Sequence, residues 1–345
     1  MTKRVLIVGG GVSGMRTAIG LGQLGLDVTL VEREEVVGGN VRILGPTFPT
    51  NIDGGTLVES FKDQMSALPS ITIYTEVEVQ NVQNGSKTFI IALSNDTTLT
   101  VDAIIIATGF KPFDASRMEN YGYGRLVDVV NAQDFVGMVR NGVLVRPSDN
   151  KPVRSVSFIQ CVGSRDKKTN IYCSSFCCTY AVHLASLVKE KDPSIDVKIF
   201  YMDMRTFSNY ENLYLKARLA GVKFIRGKPS LVTEDQDNNQ LLLQLENTLN
   251  RELMSDPTDL VVLSIGAEPS DGTRHLSSQL GVEVDAETGF FRVDELLDTV
   301  SIGKEGVYIV GSAGGPKDSQ YSLAQADAVA MQVALDLGIQ LLENE

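Results

Sequence analysis

Val5-Leu-Ile-Val-Gly-Gly-Gly-Val-Ser-Gly14 is the stretch from which the rest of this chain can be read. Four apolar residues stopped by glycine predict a strand buried on both faces of a parallel sheet, and helical spacing follows from Val12 to Gly25. Asp27-Val-Thr-Leu-Val31 then closes a β-α-β unit. Gly9, Gly11 and Gly14 form a G-x-G-x-x-G between strand and helix. Gly9 permits the tight turn, Gly11 lets the backbone approach a pyrophosphate, and Gly14 lets helix and strand pack closely, leaving phosphates at the positive helix terminus. Glu32 ends the second strand 23 positions after Gly9, where a carboxylate accepts hydrogen bonds from ribose hydroxyls. A dinucleotide site is the reading, with a tight turn lacking any ligand as the plain alternative.

Outward from this unit, the apolar runs Ile71–Tyr74, Phe89–Ala92 and Ala103–Ala107 predict further strands, and the turn residues within 141–151 predict a loop or linker. A second β-α-β series follows: strand 155–160, a helix from about Ser174 to Lys191, and strand 196–200. Strands at 222–225, 241–245 and 260–265 come next. A last strand at 306–310 leads through glycines into a helix from about Ser322 to Leu342.

The chain has 345 residues, enough for two or three domains, with 43% hydrophobic residues, 7% aromatics and 31 glycines, as parallel α/β sheets use. Disordered and fibrous classes are excluded. With 31 Lys+Arg against 43 Asp+Glu the formal charge is −12, which excludes a nucleic-acid or anionic-membrane binder. The first apolar run is too short for a signal peptide, and no run approaches the roughly 18 apolar residues of a membrane helix. Only four cysteines occur, all between Cys161 and Cys178, too few for a disulfide framework; a reducing, cytoplasmic location is expected.

Those cysteines form the second constellation. Cys161 ends the strand 155–160, while Cys173, Cys177 and Cys178 open the following helix, so they meet where an open α/β sheet holds its ligand. Cys173 and Cys177 share a helix face and Cys178 lies about 100 degrees round it. Four thiolates converging beside a positive helix terminus suit an iron–sulfur cluster. Structural zinc and redox-active dithiol chemistry are the competing uses, though zinc usually takes C-x2-C knuckles and thioredoxin-type dithiols C-x-x-C, neither of which is present. Where a second dinucleotide unit would carry its glycines, this chain has Gln160-Cys-Val-Gly-Ser-Arg165, which argues against a nicotinamide cofactor.

Two resemblances give these motifs names. Glu32 followed after five residues by Gly38-Gly39 resembles the E-x5-G-G of the flavoproteins that include glutathione and thioredoxin reductases, and implies FAD in place of NAD. Ala107-Thr-Gly109 is similar to that family's A-T-G, and Gly306–Gly311 to its last strand; Gly311-Ser312 stands where the family usually has Gly-Asp, whose Asp holds the ribityl chain. The helix near Ser322 would aim N–H groups at the flavin's pyrimidine edge. The implied FAD contacts are Gly9, Gly11, Val12, Ser13, Gly14, Glu32, Arg33, Gly38, Gly39, Asn40, Val77, Ala107, Thr108, Gly109, Gly311, Ser312, Ser322, Leu323 and Gln325.

The second resemblance rests on Gln160-Cys-Val-Gly-Ser-Arg-Asp166, Tyr172-Cys-Ser-Ser-Phe-Cys-Cys178, Phe200-Tyr-Met-Asp-Met-Arg205, Lys223-Phe-Ile-Arg226 and Gly315-Pro-Lys-Asp318, with Thr47-Phe-Pro-Thr50 and Ala107-Thr-Gly-Phe110. Together they resemble the A-type subunits of heterodisulfide reductase over nearly the whole chain. The resemblance implies FAD, a [4Fe–4S] cluster on Cys161, Cys173, Cys177 and Cys178, and partners of the B-like and C-like iron–sulfur types, with a homodimer. Long family members carry an extra N-terminal domain, a cysteine-bearing segment after T-F-P-T and ferredoxin modules, and Asn51-Ile-Asp-Gly-Gly-Thr56 has no cysteine. His183 stands where family helices often carry a Lys linked to electron bifurcation, so bifurcation is not expected. The short form is similar to the A-like subunit of the heterodisulfide reductase-like complexes of sulfur-oxidising prokaryotes, which work with lipoate-binding carrier proteins.

The expected architecture is therefore α/β, with two Rossmann-like domains of the thioredoxin/glutathione reductase kind. Residues 1–127 and 269–345 would form a discontinuous FAD domain, and 128–268 an inserted domain carrying the cluster. His183 and Lys317 are the candidate catalytic side chains: His183 for its place five residues beyond Cys178, Lys317 as a cation for reduced flavin. Packing for the one and a solvated loop for the other are the plain alternatives. A free-standing NAD(P)H-dependent disulfide or quinone reductase is the rival function.

Overall fold

The computed structural model describes residues 2–48, 50–85, 87–142, 144–293 and 299–340. The chain divides into two compact units: Met1–Arg42, Gly54–Lys111 and Glu268–Glu345 make the first, Ile43–Asp53 and Pro112–Ala267 the second. No described helix is long and apolar enough to cross a membrane.

The first unit is built on a parallel sheet in the order Val307–Ile309, Ala103–Ile106, Arg4–Val8, Asp27–Val31, Ile71–Tyr74. Its central strand explains the apolar run that opened the sequence. Val5 and Ile7 enter a core shared with the helices Val12–Gln23 and Ser319–Asp336, while Leu6 enters a second core with Ile104, Phe291 and Ile309 on the other face. The helices approach closely because Gly20 faces Ala330, where a Cβ would lie 2.9 Å from that methyl. A three-stranded antiparallel sheet, Val79–Asn84, Phe89–Leu93 and Thr98–Val101, feeds the second core.

The second unit repeats the plan, with parallel order Lys223–Arg226, Asp196–Tyr201, Ser155–Val162, Leu260–Ile265, Val129–Asn131. Val156, Phe158, Leu260 and Val262 pack under the helices Ala132–Arg140 and Cys177–Lys191. Ile159, Val162 and Leu263 pack on the opposite side with Phe113, Tyr121 and the antiparallel strands Leu231–Asp235, Gln240–Asn247 and Glu252–Thr258.

The boundaries differ from expectation in several places, the first being that Ile43–Asp53 belongs to the second unit although residues 1–127 were expected in the first. Residues 112–127 lie in the second unit, because Phe113, Ala115, Tyr121 and Leu126 are buried in its core. The described residues of the expected linker 141–151 lie inside that unit, where Arg146 binds Asp149 and Arg146 N donates to Lys151 O at 2.8 Å. The last helix starts at Ser319, three residues early, because the Asp318 carboxylate caps it by accepting from Tyr321 N at 2.8 Å. It ends at Asp336, and the expected extension beyond residue 340 falls outside the described residues.

Candidate functional site

In the first unit each glycine of the opening motif has its own steric reason. Gly9 has φ +114°, and a Cβ there would lie 2.3 Å from Ala107 O. One on Gly14 would lie 2.0 Å from Gly9 O, so strand and helix touch through it. Gly11 differs: a Cβ there would meet nothing within 4 Å. It caps the helix Val12–Gln23 with no side-chain hydrogen bond, so the first N–H groups face open space. Such a cradle fits the pyrophosphate of a dinucleotide.

The neighbouring residues close round this turn. The buried Glu32 carboxylate accepts from Gly10 N at 2.7 Å and Glu34 N at 3.0 Å, fixing it at the end of its strand. Gly38 N donates to Gly10 O at 2.7 Å, and Gly39 approaches so closely that a Cβ would lie 3.1 Å from Gly11 Cα. Asn40 Nδ2 donates to Phe110 O at 2.9 Å, tying this segment to Ala107-Thr-Gly-Phe110. There Thr108 Oγ1 is buried without a partner among the described residues, and Gly109, at φ +63°, leaves open space beside it. An orphaned hydroxyl next to an open glycine is what a polar cofactor edge would satisfy.

On the last strand, Gly311 turns at φ +66° over Ser13, and its N–H donates to Gln325 Oε1 at 2.9 Å. Gln325 Nε2 is spent on Thr299 O at 2.5 Å. Ser312 Oγ donates to Lys317 O at 3.3 Å, and Lys317 Nζ donates to Gly311 O at 3.1 Å and lies 5.7 Å from the Tyr321 ring centre. Lys317 therefore sits beside the turn that Gly311 makes. Ser322 is buried nearby, Val12, Val77 and Leu323 pack in the cores, and Arg33 pairs with Glu34 at 3.3 Å.

The cysteines sit in the second unit on a distorted strand end. The pairing of Ser155–Val162 with Leu260–Ile265 shifts register between Ile159 and Val162, and Cys161 takes φ +59°. A bulge of this kind re-aims a side chain. Cys173 lies in the following loop and accepts from Ser175 N at 3.3 Å; Cys177 and Cys178 open the helix Cys177–Lys191, whose first turn has no side-chain cap. All four are free, and three are nearly inaccessible.

Burial pushes the Cys161 thiol up to about 11, and nearby Cys178 adds to it while Arg165 and Lys228 oppose. Cys177 donates to Cys178, which raises its own value well above a free thiol's and draws Cys178 down to about 7. The four therefore feel one another's charge.

Among the described residues no three Cys, His, Asp or Glu side chains stand ready to hold a metal ion. No three of the four sulfurs are placed to share a single ion as the sequence suggested, although they lie near enough to feel one another's charge. The donor set still fits an iron–sulfur cluster: each thiolate of a cubane takes a different iron, so the ligands surround a volume. The cations round them suit its negative charge. Lys228 Nζ donates to Cys161 O at 3.1 Å, and Arg165 pairs with Asp203. Asp203 lies in the Phe200–Arg205 motif already singled out, whereas Lys228 escaped the sequence reading; Gly227-Lys228-Pro229 after a strand was the available signal.

His183, on the same helix, is 5% exposed, and its Nε2 lies 2.9 Å from Pro46 O. A carbonyl only accepts, so that nitrogen carries the proton, and burial lowers the ring's pKa. Its ring meets Phe48 edge-on. In this structure His183 fastens the segment Ile43–Asp53.

Residues 3–137 match the pyridine nucleotide-disulphide oxidoreductase family. One of the A-type iron–sulfur subunits of CoB–CoM heterodisulfide reductase from Methanopyrus kandleri is 30% identical over 424 residues, covering 98% of this chain and 65% of that protein. The A-type iron–sulfur subunit from Methanocaldococcus jannaschii is 31% identical, covering 97% of this chain and 64% of that protein. The resemblance read from the cysteine motifs is borne out by these relatives, of whose length this chain spans just under two thirds. Thioredoxin reductase from Lactococcus lactis superposes with a TM-score of 0.64 at 18% identity, covering 97% of this chain and 99% of that one. The T. acidophilum enzyme gives 0.62 at 20%, covering 96% of each. The fold is thioredoxin reductase-like, with two Rossmann-type units.

Proposed function

We propose that this chain is an oxidoreductase subunit, similar to the A-type subunits of heterodisulfide reductase, that holds FAD in its first unit and a [4Fe–4S] cluster on Cys161, Cys173, Cys177 and Cys178 in its second. The observation that carries this reading is the contrast at the second β-α turn, where four free, mutually interacting thiols stand in place of a phosphate-binding glycine loop. When bound, FAD exchanges two electrons with a thiol/disulfide couple and an iron–sulfur cluster takes one at a time.

The chain's own groups would do the following. Gly11 and the uncapped helix start receive the pyrophosphate, and Glu32 turns from Gly10 N towards the ribose. Thr108 Oγ1 meets the cofactor edge, and Lys317 supplies positive charge beside Gly311. Arg165 and Lys228 offset the cluster's charge. His183 positions the segment Ile43–Asp53.

The finer assignment is a part in sulfur metabolism, in a cytoplasmic complex with B-like and C-like iron–sulfur subunits and a lipoate-binding carrier, with the chain as a homodimer. The motif resemblance and the relatives' status as subunits support it.

One observation favours a second reading, a free-standing NAD(P)H-dependent reductase: the matched family and the fold neighbours are pyridine nucleotide and thioredoxin reductases. Anaerobic mixing of the reconstituted protein with NADH or NADPH separates the two. The flavin absorbance should stay unchanged while dithionite bleaches it. Prompt bleaching by either nucleotide would overturn the subunit assignment.

A further inference from the structure

The buried polar groups of the second unit are unevenly satisfied. Lys198 pairs with Asp256 at 2.6 Å, whereas Gln160, 1% exposed, has neither Nε2 nor Oε1 hydrogen-bonded among the described residues. Ser264 Oγ and Tyr180 Oη are also unpaired there. A primary amide buried with both ends unpaired is a costly arrangement unless something other than the polypeptide meets it.

Sheet geometry says where that something lies. Ile159 pairs with Leu263 and Val162 with Ile265, so Gln160 and Cys161 together stand opposite Ser264 in the bulge. Val156, Phe158, Leu260 and Val262 face the core under the helix Cys177–Lys191, and strand alternation puts Gln160 and Ser264 on that same face. The helix begins with Cys177 and Cys178 and carries Tyr180 two residues further on. The unpaired amide is thus chain neighbour to one thiol and lies on the face covered by the helix that carries two others.

The thiols show the matching deficit. Cys173 accepts from Ser175 N at 3.3 Å, while Cys161 and Cys177 take no backbone N–H among the described residues. Buried cluster sulfurs gain from donors, and more so once reduced.

We propose that Gln160 donates its side-chain N–H to sulfur of the cluster at Cys161 and thereby holds the cluster's reduction potential up. This rests on the cluster assignment above. The test is a midpoint potential of the anaerobically reconstituted full chain, followed by electron paramagnetic resonance, with iron and sulfide counted on the same samples. Gln160→Met removes the donor at nearly the same length. Iron content should hold while the reduced-to-oxidised ratio at a fixed poise falls about tenfold, which for one electron is about 59 mV.

Ser157→Ala removes an unpaired buried hydroxyl from the opposite face of the same strand and should leave the potential in place. An unchanged potential in Gln160→Met with iron retained overturns the proposal, as does an equal shift in Ser157→Ala. Wild-type protein that takes up no iron overturns the cluster assignment instead. Should Gln160→Met hold no iron, wild-type protein labelled with side-chain 15N-glutamine decides. Spin-echo modulation from that nitrogen at the reduced cluster supports the proposal, and its absence overturns it.

Discussion

The two units carry the same parallel sheet and the same β-α turn, yet they use the turn differently. After the strand Arg4–Val8, Gly11 stands in open space; after the strand Ser155–Val162, a Cβ on Gly163 would lie 2.1 Å from the Phe113 ring. One turn is kept clear for phosphates, and the other is filled by an aromatic side chain and ringed with thiols. The fold supplies the crevice, and the residues at its edge decide what enters it.

The largest expected effect sharpens the division between framework and ligand within the first turn. Gly14→Val drives its Cβ into Gly9 O and should cost about 3 kcal/mol or more of stability, read by denaturant unfolding. Gly11→Val enters open space, so stability should hold within about 0.5 kcal/mol while flavin affinity falls about tenfold or more. Equal losses of stability in both would break the distinction.

The second turn gives the next largest effect. Gly163→Ala combines a left-handed φ of +72° with a clash against Phe113 and should cost about 3 kcal/mol, part of it recovered by adding Phe113→Leu. A loss under about 1 kcal/mol, measured by urea unfolding, would mean that Phe113 does not fill that turn.

The smallest effect concerns the segment that the second unit takes from between two stretches of the first. His183→Phe loses the bond to Pro46 O and should cost about 1 kcal/mol. Burial holds the folded histidine's pKa below its unfolded value of about 6.5, so the unfolded chain binds the proton first. Its contribution is present above pH of about 6.5 and is lost as pH falls through the lowered folded value. Stability measured against pH should have a shallower acid-side slope in His183→Phe, and an unchanged slope would contradict the latch.

Much of this was legible in the sequence. The runs Val5–Val8, Ala103–Ile106 and Leu260–Ile265 are buried on both faces, so composition alone marks them as central strands. The glycine motif, Glu32 and the bunched cysteines could be placed because their spacing is local. What escaped is non-local. Nothing near Ile43–Asp53 signals that Gly45 packs against Val136 and that Arg140 pairs with Asp53 at 3.3 Å. Phe113 reads as an ordinary strand-end residue until it is seen to occupy the space at Gly163. Lys198, buried on a strand, finds its nearest carboxylate on Asp256, from a strand about sixty positions later, with Asp196 on its own strand farther off. The strands Val79–Asn84 and Glu252–Thr258 were missed because polar residues on their exposed faces hide the alternation.

The most direct test of the central claim is the iron, sulfide and flavin content of the anaerobically reconstituted chain, beside that of Cys177→Ala. The account predicts about four irons and bound FAD in the wild type, with iron lost and FAD kept in the variant. Iron absent from both, or equal in both, would contradict it.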